Sequence, residues 1–233
     1  MTGESGSTAA PLRLAHRGDW RESPENSLAA MAAALRVPGC DGLEFDVRAA
    51  SDGVPILIHD PSLLRVQGVD AVPSALTAAQ CAAHGISSLR EVLKAVGCDP
   101  YLDVELKEWV PGAIDQLELE RGRIDEEGRA ELRNAVISSF HAEVLEALAA
   151  ARPAWPRWLN ASELSEASIE LAVRLGCTAI SVRWQSIDEA STRRASDAGL
   201  AVAAWTVREL DTYRRLAELG VVAICAEDAA LDG

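Results

Sequence analysis

The sequence predicts an α/β fold, a (β/α)8 TIM barrel with a β-hairpin after its second strand. Three observations predict it. Short β-like runs alternate with longer helix-like runs from residue 11 to the end, the pattern of a parallel sheet covered by helices. The β-like runs number eight, which suits a closed barrel better than an open sheet. Polar and titratable residues also gather at the carboxyl ends of these runs, where a barrel of this kind carries its chemistry.

In chain order the expected strands are 12–15, 42–47, 101–106, 135–140, 157–160, 178–182, 201–206 and 222–225. Amphipathic stretches at 25–35, 89–96, 143–150, 164–175, 188–198 and 209–219 supply the crossover helices. One apolar run, Val54 to Ile58, follows strand two after too few residues for a crossover helix, so it is not the next parallel strand. Asp52-Gly53 is a hairpin signal, and it folds 54–58 back antiparallel on 47–50, carrying His59 to the top of strand two. Residues 63–88 read as irregular or weakly helical, and 110–132 as a charged helical excursion whose acidic run from Glu118 to Glu131 is a solvated helix face. The expected organisation is a flexible N-terminus over residues 1–10 and a single barrel domain over 11–233.

Composition narrows the function. A chain of 233 residues that is 48% hydrophobic and 25% charged builds a real core. A net charge of −14 opposes nonspecific attraction to nucleic acid or to an anionic membrane, so a phosphate substrate needs locally placed cations. Five cysteines, Cys40, Cys81, Cys98, Cys177 and Cys225, show no Cys-x-x-Cys spacing and no disulfide framework, so they read as reduced thiols. Neither a signal peptide nor a run of 18 apolar residues is present, which points to a cytoplasmic protein with no stable membrane anchor. No oligomeric partner is specified.

The strand ends carry the chemistry. Strand one ends in His16-Arg17-Gly18, strand two holds Glu44-Phe45-Asp46, the hairpin ends in His59-Asp60, strand three ends in Glu105-Leu106-Lys107, and strand seven carries Trp205. Residues two apart on a strand project the same way, so Glu44, Asp46 and Glu105 converge on one mouth. Three carboxylates repel one another unless a cation lies among them, and an all-oxygen set suits a divalent hard ion, Mg²⁺ or Ca²⁺, over structural zinc. Arg17 and Lys107 add positive charge for phosphoryl oxygens. His16 and His59 supply an acid/base pair, because imidazole titrates near neutral pH. Trp205 stands between two readings, a core aromatic and a wall of the substrate pocket. His84 and His141, without partner motifs, are surface or loop residues.

His16-Arg17-Gly18, Pro24-Glu25-Asn26-Ser27, Glu44-x-Asp46, Asp52-Gly53, His59-Asp60, Glu105-x-Lys107, Ser139-Phe140 and Trp205-Thr206-Val207 together resemble the ordered signature of the glycerophosphodiester phosphodiesterases. The resemblance spans Leu12 to Asp228. It implies hydrolysis of a small-molecule glycerophosphodiester to glycerol 3-phosphate and an alcohol, by water or first by the glycerol 2-hydroxyl. It also implies that His16 and His59 form the acid/base pair, that Glu44, Asp46 and Glu105 bind a divalent cation, and that Arg17 and Lys107 contact phosphate. Two places depart from the pattern. Arg208 stands where the family usually has Asn, and Ala226-Glu227-Asp228-Ala229 where it usually has Thr-Asp-x-Pro. The segment 63–88 is also shorter than the family's usual insertion, which covers the site. These departures bear on the substrate more than on the chemistry. They leave open a lysophospholipid, cyclic or sugar phosphodiester as substrate. A barrel that only binds a phosphodiester is the remaining alternative, against which the intact His, Glu, Asp and Lys set speaks.

Overall fold

Along most barrel strands the inward-facing side chains run from apolar to polar, and this gradient sets where the core ends and the site begins. In the computed structural model, which describes residues 10–124, 126, 128 and 130–233, the strands are β1 Leu12–His16, β2 Gly42–Ala49, β3 Pro55–Leu57, β4 Tyr101–Leu106, β5 Gly122–Ile124, β6 Ala130–Leu132, β7 Ala135–Ser139, β8 Arg157–Ala161, β9 Ala179–Arg183, β10 Ala201–Val207 and β11 Ala223–Ala226. The eight parallel strands are β1, β2, β4, β7, β8, β9, β10 and β11, and pairing of β1 with both β2 and β11 closes the barrel. Each matches one expected strand to within a few residues. The expected flexible N-terminus lies outside the described residues but for Ala10.

Outward-facing residues such as Phe45, Val47, Val104 and Ile180 are fully buried under the helices in the main core. A second, smaller cluster of Leu14, Val136, Trp158, Ala179, Ala203 and Ala223 fills the amino-terminal end of the barrel interior. One pleat further along, the interior turns polar on six of the eight strands, with His16, Glu44, Asp103, Ser138, Asn160 and Ser181 following these residues or their neighbours at a spacing of two, while β10 and β11 continue with Trp205 and Cys225. The barrel is thus plugged at one end and chemically equipped at the other.

The hairpin after strand two forms as the sequence predicts. β3 pairs antiparallel with β2, Val47 opposite Leu57 and Ala49 opposite Pro55, and Gly53 turns the chain at φ 75°, a conformation that costs glycine little. The segment behind it holds two short helices, Leu64–Gln67 and Ala78–Ala83, with a 3-10 turn at Pro73–Ala75. His84 and His141 are exposed, as expected.

One expectation is corrected. The acidic run from Glu118 to Glu131 is not one helix face: the helix Pro111–Arg121 stops, and β5 and β6 form a separate antiparallel ribbon, with Arg123 opposite Glu131. The buried Arg121 guanidinium donates to the carbonyls of Pro100 (2.9 Å) and Asn134 (3.1 Å). That ties the helix end to the strands beneath it, and Gly122 leaves the helical conformation directly afterwards. The ending is set by tertiary contacts of one arginine, which periodicity does not report.

Candidate active site

Strand register brings the titratable residues together. His16 pairs with Glu44 between β1 and β2, while Glu44 pairs with Asp103 and Asp46 with Glu105 between β2 and β4. Partners in register point to the same side of a sheet, so all of these side chains enter the barrel. One oxygen each of Glu44, Asp46 and Glu105 lies within 4.8 Å of the others. All three residues are buried, and Glu44 Oε2 has no hydrogen-bond partner. Three hard oxygen donors without a thiolate fit Mg²⁺ or Ca²⁺.

The loop after β1 clasps this cluster. Arg17 and Gly18 both take positive φ, 60° and 82°, and a Cβ on Gly18 would lie 2.6 Å from the Ala30 carbonyl carbon, so only glycine lets the loop press on the following helix. Within Pro24-Glu25-Asn26-Ser27 each polar residue has a separate task. Glu25 pairs with Arg17 at 2.9 Å. Asn26 donates to Asp46 Oδ2 at 2.8 Å while its carbonyl oxygen accepts from the Asp46 amide at 3.2 Å. Ser27 caps the helix Leu28–Ala34.

Cations and carboxylates are matched unevenly. Arg17 Nε lies 3.1 Å from Asp46 Oδ2, and Lys107 Nζ lies 2.8 Å from Asp46 Oδ1 and also bonds Glu105. Burial works to raise the Asp46 carboxyl, yet Lys107 and Arg17 outweigh it and hold it below the usual range. Glu44 is pushed well above that range by burial, then by the charge of Asp46. Burial and Asp46 push Glu105 up to about 7, and burial pushes Asp103 up to about 7.

Both histidines are held through Nδ1. His16 Nδ1 lies 2.5 Å from Glu227 Oε1, and Glu227 Oε2 accepts from Arg208 Nε at 2.8 Å. His59 Nδ1 lies 2.7 Å from Asp60 Oδ1, and Asp60 Oδ2 accepts from Arg65 Nε at 2.6 Å. With Nδ1 engaged on a carboxylate, each imidazole is left with Nε2 for other work; that of His16 lies 3.8 Å from Glu44 Oε2. Burial, only partly offset by Asp46, keeps His59 below the ordinary imidazole value.

One pocket collects these groups: His16, Arg17, Glu44, His59, Glu105, Lys107 and Trp205 line it with Asp103, Phe140, Asn160 and Ser181. Trp205 is therefore a pocket wall, half-buried, its Nε1 donating to the Ser181 carbonyl at 3.1 Å. Ser139 donates to the Leu106 carbonyl at 2.7 Å, fastening the end of β7 to that of β4 and setting Phe140 on the rim. Asp46 lies behind, closing the carboxylate cluster. The structure thus brings together every residue that the sequence singles out. It gives partners to Glu227, Asn26 and Asp60, which the sequence names without a task, and adds Asp103. Asp103 was readable, being two residues before Glu105 on the same strand face. Glu227 was hidden because β11 runs to Ala226, one residue beyond the expected strand end.

Fold and mouth define a class, a barrel hydrolase with imidazoles, cations and carboxylates around one cleft. Comparison narrows the class: residues 16–231 match the Glycerophosphoryl diester phosphodiesterase family. The chain belongs to that family and is a phosphoric diester hydrolase. A glycerophosphodiester phosphodiesterase of Caldanaerobacter subterraneus subsp. tengcongensis is 25% identical over 238 residues, spanning 93% of this chain and 94% of the relative. Among solved structures, a phosphodiesterase of Oleispira antarctica in complex with the product sn-glycerol-3-phosphate superposes with a TM-score of 0.79 at 22% identity, over 93% of each chain. The glycerophosphodiester phosphodiesterase of Thermotoga maritima gives 0.75 at 23% identity, over 94% of this chain and 95% of its own. At these identities the two likenesses speak for the fold. Among the described residues no helix is long and apolar enough to cross a membrane.

Proposed function

We propose that the chain hydrolyses a small-molecule glycerophosphodiester to glycerol 3-phosphate and an alcohol, with His16 and His59 as acid/base pair and a divalent cation held by Glu44, Asp46 and Glu105. The observation that carries this is the convergence of two carboxylate-anchored histidines, Arg17, Lys107 and the three carboxylates on one mouth. The product bound to the Oleispira antarctica relative supports the glycerol 3-phosphate half. One barrel unit, residues 11–233, would carry the whole activity. Five free thiols suit a cytoplasmic setting.

Arg17 and Lys107 draw the phosphodiester in and face the charge that develops on its oxygens. When bound, the cation supplies neutralisation of the carboxylates and polarisation of a phosphoryl oxygen. His59, kept below the ordinary imidazole value by burial, is neutral at pH 7 and fits the base. Its Nε2 takes the proton from the attacking hydroxyl, of water or of the glycerol 2-position, as that oxygen bonds to phosphorus; where the 2-hydroxyl attacks, the step leaves a cyclic glycerol phosphate, which water then opens to glycerol 3-phosphate with the two histidines in exchanged roles. His16, oriented by Glu227, gives a proton from Nε2 to the alcohol oxygen as the phosphorus–oxygen bond breaks.

Turnover of glycerophosphoglycerol with Mg²⁺ or Ca²⁺, followed by release of glycerol 3-phosphate, tests the reading. Activity abolished by EDTA and restored by the ion is expected. Full activity in excess EDTA would overturn the metal assignment, and absence of turnover on a panel of glycerophosphodiesters would overturn the substrate.

A further inference from the structure

The pocket has two ends of different character. Its floor is polar, formed by Asp103, Asn160 and Ser181. Its outer wall is aromatic: Phe140 and Trp205 meet edge to face, with centroids 5.7 Å apart and planes at 72°. An aromatic wall at the entrance of an acidic pocket is what a quaternary ammonium headgroup seeks, because the cation is attracted to a ring face. On that ground alone a choline diester would fit.

Both rings are already engaged by cations. Lys107 Nζ lies 5.8 Å from the Phe140 centroid, and the Arg183 guanidinium carbon lies 5.5 Å from the Trp205 centroid. Lys107 is also bound to Asp46 and Glu105. Arg183 is different. It ends β9, in register with Trp205 on β10, and continues the inward-facing series Ala179, Ser181, Arg183 to the mouth. Its side chain is exposed, and among the described residues no carboxylate pairs with it. The hollow beside it contains Glu163, which forms no ion pair with the guanidinium. Arg183 does not itself line the pocket, yet its guanidinium on the Trp205 ring sets a positive charge beside that wall; a cationic headgroup against Trp205 would lie near a like charge, whereas an anionic group reaching past the ring would find an available fork of donors.

We propose that Arg183 is a specificity-determining residue that turns the aromatic wall against ammonium alcohols and toward diesters whose alcohol carries an anionic group. This rests on the phosphodiesterase reading of the same site. The test compares kcat/KM for three diesters that share the glycerol 3-phosphate half: glycerophosphocholine, glycerophosphoglycerol, and the glycerophosphoryl ester of a second glycerol 3-phosphate. In the unmodified enzyme with Mg²⁺ the anionic diester should exceed the choline diester by about tenfold, the scale of one partly exposed charge pair. Arg183→Glu should reverse that ratio and Arg183→Ala should flatten it. A ratio is read so that a general loss of activity cancels. Without any substitution, raising salt to about 1 M should shrink the preference, because exposed charges are screened. A choline preference in the unmodified enzyme, a ratio unmoved by Arg183→Glu, or a preference indifferent to salt would each overturn the proposal. No turnover on any of the three would instead overturn the phosphodiesterase reading beneath it.

Discussion

Replacing Glu227 by Gln changes one oxygen for an amide nitrogen and leaves the shape intact. In the native arrangement both carboxylate oxygens are used, Oε1 by His16 Nδ1 at 2.5 Å and Oε2 by Arg208 Nε at 2.8 Å. A glutamine has a single acceptor oxygen, so it can meet only one of these two donors and must turn its own NH₂ toward the other. The residue is buried, so water does not make good the loss. A hydrogen bond to a charged group contributes about 1.5–3 kcal/mol, which corresponds to a fall of roughly 10- to 100-fold in kcat if His16 is the proton donor. Substrate contacts are untouched, so KM should stay within about threefold. Arg208 is largely exposed, and Arg208→Ala alone should cost less than about fivefold. The two changes should couple, because without Arg208 the amide can turn its oxygen to His16, and the double variant should outperform Glu227→Gln alone. Steady-state kinetics on glycerophosphoglycerol reads all four forms. Turnover of Glu227→Gln within twofold of the parent, or a loss confined to KM, would refute the reasoning.

Other outcomes follow from the same geometry. Glu105→Gln removes one of the three charges of the proposed cation site and should weaken Mg²⁺ or Ca²⁺ binding by at least about tenfold in titration calorimetry. The pH dependence of stability in EDTA has a definite sign: burial pushes Asp103 up to about 7, and burial with Asp46 pushes Glu105 up to about 7. A carboxyl raised on folding holds a proton that the unfolded chain releases, so Tm should rise as pH falls from about 8 to about 5, most steeply once the pH is below 7 and still above the ordinary carboxylate range. His59, kept low by burial, opposes the two carboxyls as a single group once the pH falls below the ordinary imidazole value, and Asp46, held low by Lys107 and Arg17 against its burial, opposes them only at pH below the ordinary carboxylate range. A Tm flat across that window would contradict the shifts. Because His59 is kept below the ordinary imidazole value, the acidic limb of kcat/KM should fall below about pH 6.5. A limb well above that value would remove His59 as the base.

The barrel was legible because its signals are local and repeated. Alternation along each strand, such as Glu44 with Asp46 and Glu105 with Lys107, marks both the strand and the face that looks inward. The hairpin was legible through Asp52-Gly53 and the short spacing to Val54. What escaped depends on contacts between distant segments. The helix stop at Arg121 is set by carbonyls of residues 100 and 134. The departures at Arg208 and Glu227 look independent in sequence, yet they meet in one ion pair behind His16. Glu25 and Asn26 belonged to a recognisable motif, but their separate partners, Arg17 and Asp46, emerge only when the loop is folded over the mouth.

Leaving-group chemistry tests most directly the proposed action of His16 and His59 on opposite sides of one phosphorus. Each histidine is changed to Ala, and kcat is measured on glycerophosphoglycerol and on a nitrophenyl diester of glycerol 3-phosphate, with Mg²⁺ present. On the first substrate both variants should lose about 10²–10⁴-fold, the usual worth of a positioned proton donor or acceptor. Nitrophenolate leaves without protonation, so the His16→Ala variant should regain most of its rate on the second substrate while His59→Ala stays impaired. Near-parent turnover of both variants on glycerophosphoglycerol, or equal rescue of both by the nitrophenyl diester, would contradict the paired assignment.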